Sequence, residues 1–130
     1  MLVRNFEPVA LADLVRSGPH SRSLVVVEDL LISRLVRAVL RKEGFSVLVT
    51  DPSEAAGLFR GSEAEDHILV TNSPALFLEF AQTVPLLYLT SAPDPRLEAR
   101  FRNCRVVRKP FVPSELLEAA EELSALPAIE

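Results

Sequence analysis

Five times along this chain a run of apolar residues stops at a polar side chain able to do chemistry. Leu24-Val25-Val26-Val27 ends in Glu28-Asp29, the run 45–49 in Thr50-Asp51, and Ile68-Leu69-Val70 in Thr71-Asn72. Leu86-Leu87-Tyr88-Leu89 ends in Thr90-Ser91, and Val106-Val107 in Arg108-Lys109. Adjacent carboxylates, hydroxyls and an ammonium gathered into one crevice would suit a divalent cation and a phosphoryl group, because carboxylate oxygens hold hard cations and a fixed ammonium balances phosphoryl charge. Lys109 carries extra weight, since the chain has twelve Arg and only two Lys. The other reactive types do not cluster. His20 and His67 lack any array at zinc spacing and read as surface or strand-edge residues. The single Cys104, with no disulfide partner, reads as a small buried hydrophobe just before the fifth strand.

These residues are useful together only if the apolar runs are strands lying side by side. Each run is strand-sized, and the β-branched run Leu24-Val25-Val26-Val27 reads as a strand buried on both faces. Helical patterns lie between them. Ile32, Leu35, Val36, Val39 and Leu40 recur at helical spacing, Arg34, Arg37, Arg41 and Lys42 take the other face, and Gly44 supplies the stop. Asp51-Pro52-Ser53-Glu54 offers an N-cap, a first-turn proline and an acid at the third helical position. The residues 75–82 and the stretch carrying Leu97 and Phe101 read as short helical segments, and Leu116, Leu117, Ala120 and Leu123 line one face of a last helix within 113–126. Strands alternating with helices imply right-handed crossovers and an α/β, doubly wound parallel sheet covered on both sides. In such sheets ligands bind beyond the carboxyl ends of the strands, where the five polar pairs stand.

Composition narrows the function classes. At 130 residues, with 48% apolar and 25% charged residues and four Gly, the chain is expected to fold as one globular domain over 22–126, preceded by an extension or linker at 1–21 and followed by a short tail at 127–130. Within the extension, Leu11, Leu14 and Val15 suggest a short helix ahead of the linker Ser17-Gly18-Pro19-His20-Ser21. A net charge of −4 argues against nucleic acid as partner, and no apolar run reaches the length of a membrane span. The lone cysteine and the lack of an export signal point to the cytoplasm.

Three segments carry a family resemblance. Leu24-Val25-Val26-Val27-Glu28-Asp29, Pro85-Leu86-Leu87-Tyr88-Leu89-Thr90-Ser91 and Lys109-Pro110-Phe111 resemble, in order, signature strands of the response-regulator receiver domains of two-component signalling. The resemblance spans roughly 22–126 and implies a five-stranded sheet of order 2-1-3-4-5. It matches Glu28 and Asp29 to the metal-binding acidic pair, Thr90 to the switch hydroxyl and Lys109 to the phosphoryl-contacting lysine. It also implies a cis peptide at Lys109-Pro110.

The chain departs from the family where phosphate would be accepted. Strand three ends in Thr71-Asn72-Ser73-Pro74, and no carboxylate stands there; Thr71 is the preferred match to the acceptor, with Asn72 second. An ionised carboxylate can attack phosphorus and help hold Mg²⁺, whereas a protonated hydroxyl with no neighbouring base does neither. Val106 stands where family members carry an aromatic switch residue, and the third and fourth helical segments have little room and must be short. The expectation is therefore a receiver-like module that signals without phosphorylation. It is expected to be no enzyme, to need no cofactor beyond weak Mg²⁺ binding, and to dock on a signalling protein such as a histidine kinase or regulator domain. Arg96, Arg100, Arg102, Arg105 and Arg108 lie near Glu115, Glu118, Glu121 and Glu122, so two faces of opposite sign adjoin. They are either ordinary solvated faces or a surface for a partner or a homodimer. Two other readings stay open. One is a phosphotransfer-competent receiver using Asp29 or a modified Asn72. The other is an unrelated flavodoxin-like enzyme or nucleotide binder, which should show a Gly-rich turn where Glu28-Asp29-Leu30-Leu31 stands.

Overall fold

A computed structural model describes residues 22–61 and 66–126. The extension 1–21, where a short helix is expected and where His20 stands, and the tail 127–130 lie outside the described residues. The elements are β1 (Ser23–Val27), α1 (Leu30–Lys42), β2 (Val47–Val49), α2 (Pro52–Arg60), β3 (His67–Thr71), the 3-10 segment η1 (Pro74–Phe80), β4 (Leu86–Thr90), α3 (Pro95–Arg100), β5 (Cys104–Arg108) and α4 (Pro113–Ser124). All neighbouring strand pairs are parallel and the order is β2-β1-β3-β4-β5, as the resemblance implies.

The continuous apolar runs follow from a sheet covered on both faces, since successive strand residues point to opposite sides. Leu24 and Val26 join Ile68, Val70, Leu87, Leu89 and Val107 beneath Val36 and Leu40 of α1 and Leu116, Ala120 and Leu123 of α4. Their alternates Val25, Val27, Leu69, Leu86 and Tyr88 join Ala55 and Phe59 of α2, Phe77 and Phe80 of η1, and Phe101. Each fully buried large apolar side chain contributes about 1.5–3 kcal/mol, so the sheet is held from both sides.

The helices start and stop where local chemistry directs. Asp29 caps α1 by accepting from the Ile32 amide at 2.9 Å, and Gly44, at a φ of 93°, takes the left-handed conformation that ends it. Asp51 caps α2 through the Glu54 amide at 2.8 Å. The short third segment is a 3-10 turn broken at Phe77, whose φ of −127° and ψ of 25° are not helical. Phe77 is fully buried and meets Phe59 edge-on at 6.0 Å, while Phe80 meets Phe59 at 5.4 Å, so aromatic packing sets this backbone. The six residues of α3 complete the second short segment.

Three assignments need correction. The helical spacing puts Leu35 on the buried stripe of α1, but it is 47% exposed beside Leu30 at 65% and Leu31 at 75%, because Ser33 takes the inward position. Strand two starts at Val47, with Phe45 packing in the core before it. Cys104 opens β5, half-buried, and does not precede it.

Candidate functional site

The carboxyl ends of β1, β3, β4 and β5 bring Glu28, Thr71, Thr90 and Lys109 to one end of the sheet. Glu28 follows the last residue of β1 and its side chain is wholly covered, while that of Lys109 is 21% exposed. The Lys109 ammonium donates to Glu28 Oε1 at 3.3 Å and lies 3.2 Å from Oε2, where charge acts without hydrogen-bond geometry. Lys109 thus crosses from the end of β5 to the end of β1, over the central strands. Burial pushes the Glu28 carboxyl above its ordinary range, against the opposing pull of Lys109. The Lys109–Pro110 peptide is cis, as the resemblance implies.

Asp29, the other half of the acidic pair, turns outward and spends one oxygen on the α1 cap. The two carboxylates therefore diverge in role: one is buried against an ammonium, the other is an exposed helix cap. Ser33 secures the junction by donating to the Glu28 carbonyl at 3.1 Å.

Thr71 ends β3 fully buried. Its hydroxyl donates to the Val27 carbonyl at 2.7 Å and accepts from the Ser73 amide at 3.1 Å, so both its hydrogen-bonding roles are taken by backbone. Asn72 is exposed and accepts from the Ser73 hydroxyl at 3.0 Å. Thr90 is buried, and its hydroxyl accepts from the Ala92 amide at 3.0 Å while its carbonyl receives the Lys109 amide at 2.9 Å. The remaining strand-end pair is not part of this cluster: Thr50 bonds Glu54 and Asp51 caps α2. Val106 packs partly buried beside Tyr88, its partner on β4.

This donor set does not fit a tightly held divalent cation. A hard cation takes six or more oxygens with several anionic among them, and here the buried carboxylate already faces an ammonium while Thr71 has its oxygen committed to backbone. Among the described residues no group of three His, Cys, Asp or Glu side chains converges.

The charged faces expected near the fourth and fifth strand-helix units do adjoin. Arg105 of β5 forms an ion pair with Glu122 of α4. Arg105 and Arg108 share a groove of about 250 Å³ with Glu115 and Glu118. Arg96 turns outward and reaches Asp94 of its own cap at 3.5 Å, while Arg100 is exposed. Part of the opposite charge is therefore balanced within one chain. His67 opens β3, a central strand, half-buried with its ring 6.1 Å from that of Phe59. Burial, assisted by the charge of Glu98, pushes the Cys104 thiol up to about 11, which leaves it unreactive at neutral pH.

Sequence reasoning overlooked Arg22. It is buried, and its guanidinium donates to the carbonyls of Leu123 at 2.9 Å, Ser124 at 3.4 Å and Leu126 at 2.8 Å. These belong to the end of α4, where a cation satisfies orphan carbonyls and meets the negative end of the helix dipole. An arginine two residues ahead of the first apolar run was the available signal, but its target lies about a hundred residues away.

Solved structures share this fold. A response regulator from Chloroflexus aurantiacus superposes with a TM-score of 0.63 at 21% identity, over 81% of this chain and 98% of that one. The chemotaxis response regulator CheY4 of Vibrio cholerae gives 0.60 at 18% identity, over 78% and 98%. The receiver domain of a signal transduction histidine kinase from Syntrophus aciditrophicus gives 0.61 at 16% identity, over 84% and 97%. No family model matches the sequence, and no curated protein matches it either. At these identities the likeness is one of architecture, and that architecture is the receiver-domain fold.

Proposed function

We propose that the chain is a two-component signalling module that works without being phosphorylated, a cytoplasmic docking domain and not an enzyme. Its partner would be a signalling protein such as a histidine kinase or a regulator domain. The observation that carries this reading is the end of the middle strand. A residue there must offer an anionic oxygen to attack phosphorus, yet Thr71 gives its proton to the Val27 carbonyl and lies fully buried. No base is bonded to it. Lys109, which would meet an incoming phosphoryl group, is held by Glu28. Mg²⁺ would bind weakly, through Asp29 and whatever share of Glu28 the ammonium leaves free.

Surface shape, and not a chemical step, would then carry the signal. Two surfaces are suited to docking: the outward face of α1, with Leu31 and Leu35 among Arg34, Arg37 and Arg41, and the surface of α3, β5 and α4 bearing Arg96, Arg100, Arg108, Glu115 and Glu118. The second could also serve a homodimer.

The test is incubation with acetyl phosphate and Mg²⁺ followed by intact-mass measurement. The expected mass is that of the unmodified chain. A single hydroxylamine-labile phosphate would overturn the reading in favour of a phosphotransfer receiver, and peptide mapping would then choose between the exposed Asp29 carboxylate and a modified Asn72.

A further inference from the structure

The layer formed by α1 and α4 has an unfilled groove on its outer side. A cavity of about 350 Å³ lies between the two helices, lined by Ala38, Val39, Lys42 and Glu43 from α1 and its C-cap, and by Pro113, Ser114 and Leu117 from α4. Val39 and Leu117 already pack at the margin of the core beneath and remain partly uncovered. The floor is thus apolar, and one rim carries a cation and an anion side by side.

The chain has a segment of matching chemistry that reaches this layer. Arg22 is fastened to the last carbonyls of α4, so residues 1–21 leave the described structure beside the end of that helix. The five linker residues 17–21 can span up to about 17 Å when extended, comparable to the ~18 Å length of a twelve-residue helix. Ahead of them, Leu11, Leu14 and Val15 fall at i, i+3 and i+4, with Asp13 and Arg16 flanking them. Covering an apolar floor with three such side chains removes apolar surface from water, which is favourable, and Asp13 and Arg16 complement Lys42 and Glu43 in sign.

We propose that residues 8–16 dock as a short amphipathic helix in the groove between α1 and α4 of their own chain. The extension then forms part of the molecule's outer layer on the α1 side, and any partner using that side meets it first.

Paramagnetic NMR on the full chain tests this. A nitroxide is placed on Ala10→Cys in a Cys104→Ala background whose amide spectrum overlays that of the parent. Docking predicts that the amides of Ala38, Val39 and Leu117 lose most of their intensity, while those of Gly57 and Glu79 on the opposite layer keep theirs. Adding Leu11→Glu and Leu14→Glu to the tagged chain should restore the groove signals. Undiminished groove amides would overturn the proposal, as would losses unaffected by the two glutamates. A mixture of tagged unlabelled chain with untagged isotope-labelled chain separates the remaining occupant: groove losses in the mixture would mean a second copy fills the groove, and the proposal would fall.

Discussion

At the scale of single residues the crevice is defined by groups that satisfy one another. Thr71 bridges β1 and the loop after β3, so Thr71→Val, which keeps the shape and removes the hydroxyl, should cost about 1–2 kcal/mol in urea unfolding. By the same reading Thr71→Ala should leave partner binding intact once a partner is in hand, and loss of binding with the fold retained would count against docking as the mode of action. The Glu28–Lys109 pair has a sharper signature. Because the folded carboxyl of Glu28 sits above its ordinary value, its contribution to stability is greatest at low pH and is lost as pH rises through the raised value. Lys109→Met removes the cation that opposes this shift and leaves a buried carboxylate alone. The variant should lose about 3–5 kcal/mol near neutrality and recover as pH falls and Glu28 takes up a proton. Denaturant melts between pH 4 and 8 read this directly, and a deficit that did not shrink on acidification would contradict the assignment.

At the scale of elements the clearest device is the clamp of Arg22 on α4. It ties the residue before the first strand to the end of the last helix, through carbonyls at the negative end of the helix dipole. Arg22→Met keeps the aliphatic stem and removes the donors, so it should destabilise by about 2–3 kcal/mol, the range for a charge-assisted hydrogen bond lost from buried groups. Amide hydrogen exchange should rise first in the last turn of α4. Uniform acceleration across the sheet would instead mark a general loss of stability. The segment η1 makes a second point about elements. Its residues do not extend into a regular helix because Phe77 and Phe80 must both reach Phe59 from a short connection, and burying those rings outweighs the hydrogen bonds of a longer α-helix.

At the scale of the whole molecule the two cores share one sheet, with alternate residues of each central strand feeding opposite layers. Neither layer can come away without uncovering half of every strand. Tyr88, the only tyrosine in a chain without tryptophan, reports on the η1 side, so its fluorescence and the far-ultraviolet circular dichroism should show one midpoint on heating. Separate midpoints would mean that the layers melt independently. The sequence by itself determined the alternation of strands and helices, the Asp51 cap of α2, the glycine stop of α1 and the lack of a carboxylate at the end of β3, because each depends on residue types a few positions apart. It could not decide that Glu28 turns inward to Lys109 while Asp29 turns outward, that Leu35 yields the inward face to Ser33, or that Arg22 reaches α4. Those outcomes depend on which distant backbone and charge arrive alongside, and only the packed sheet brings them together.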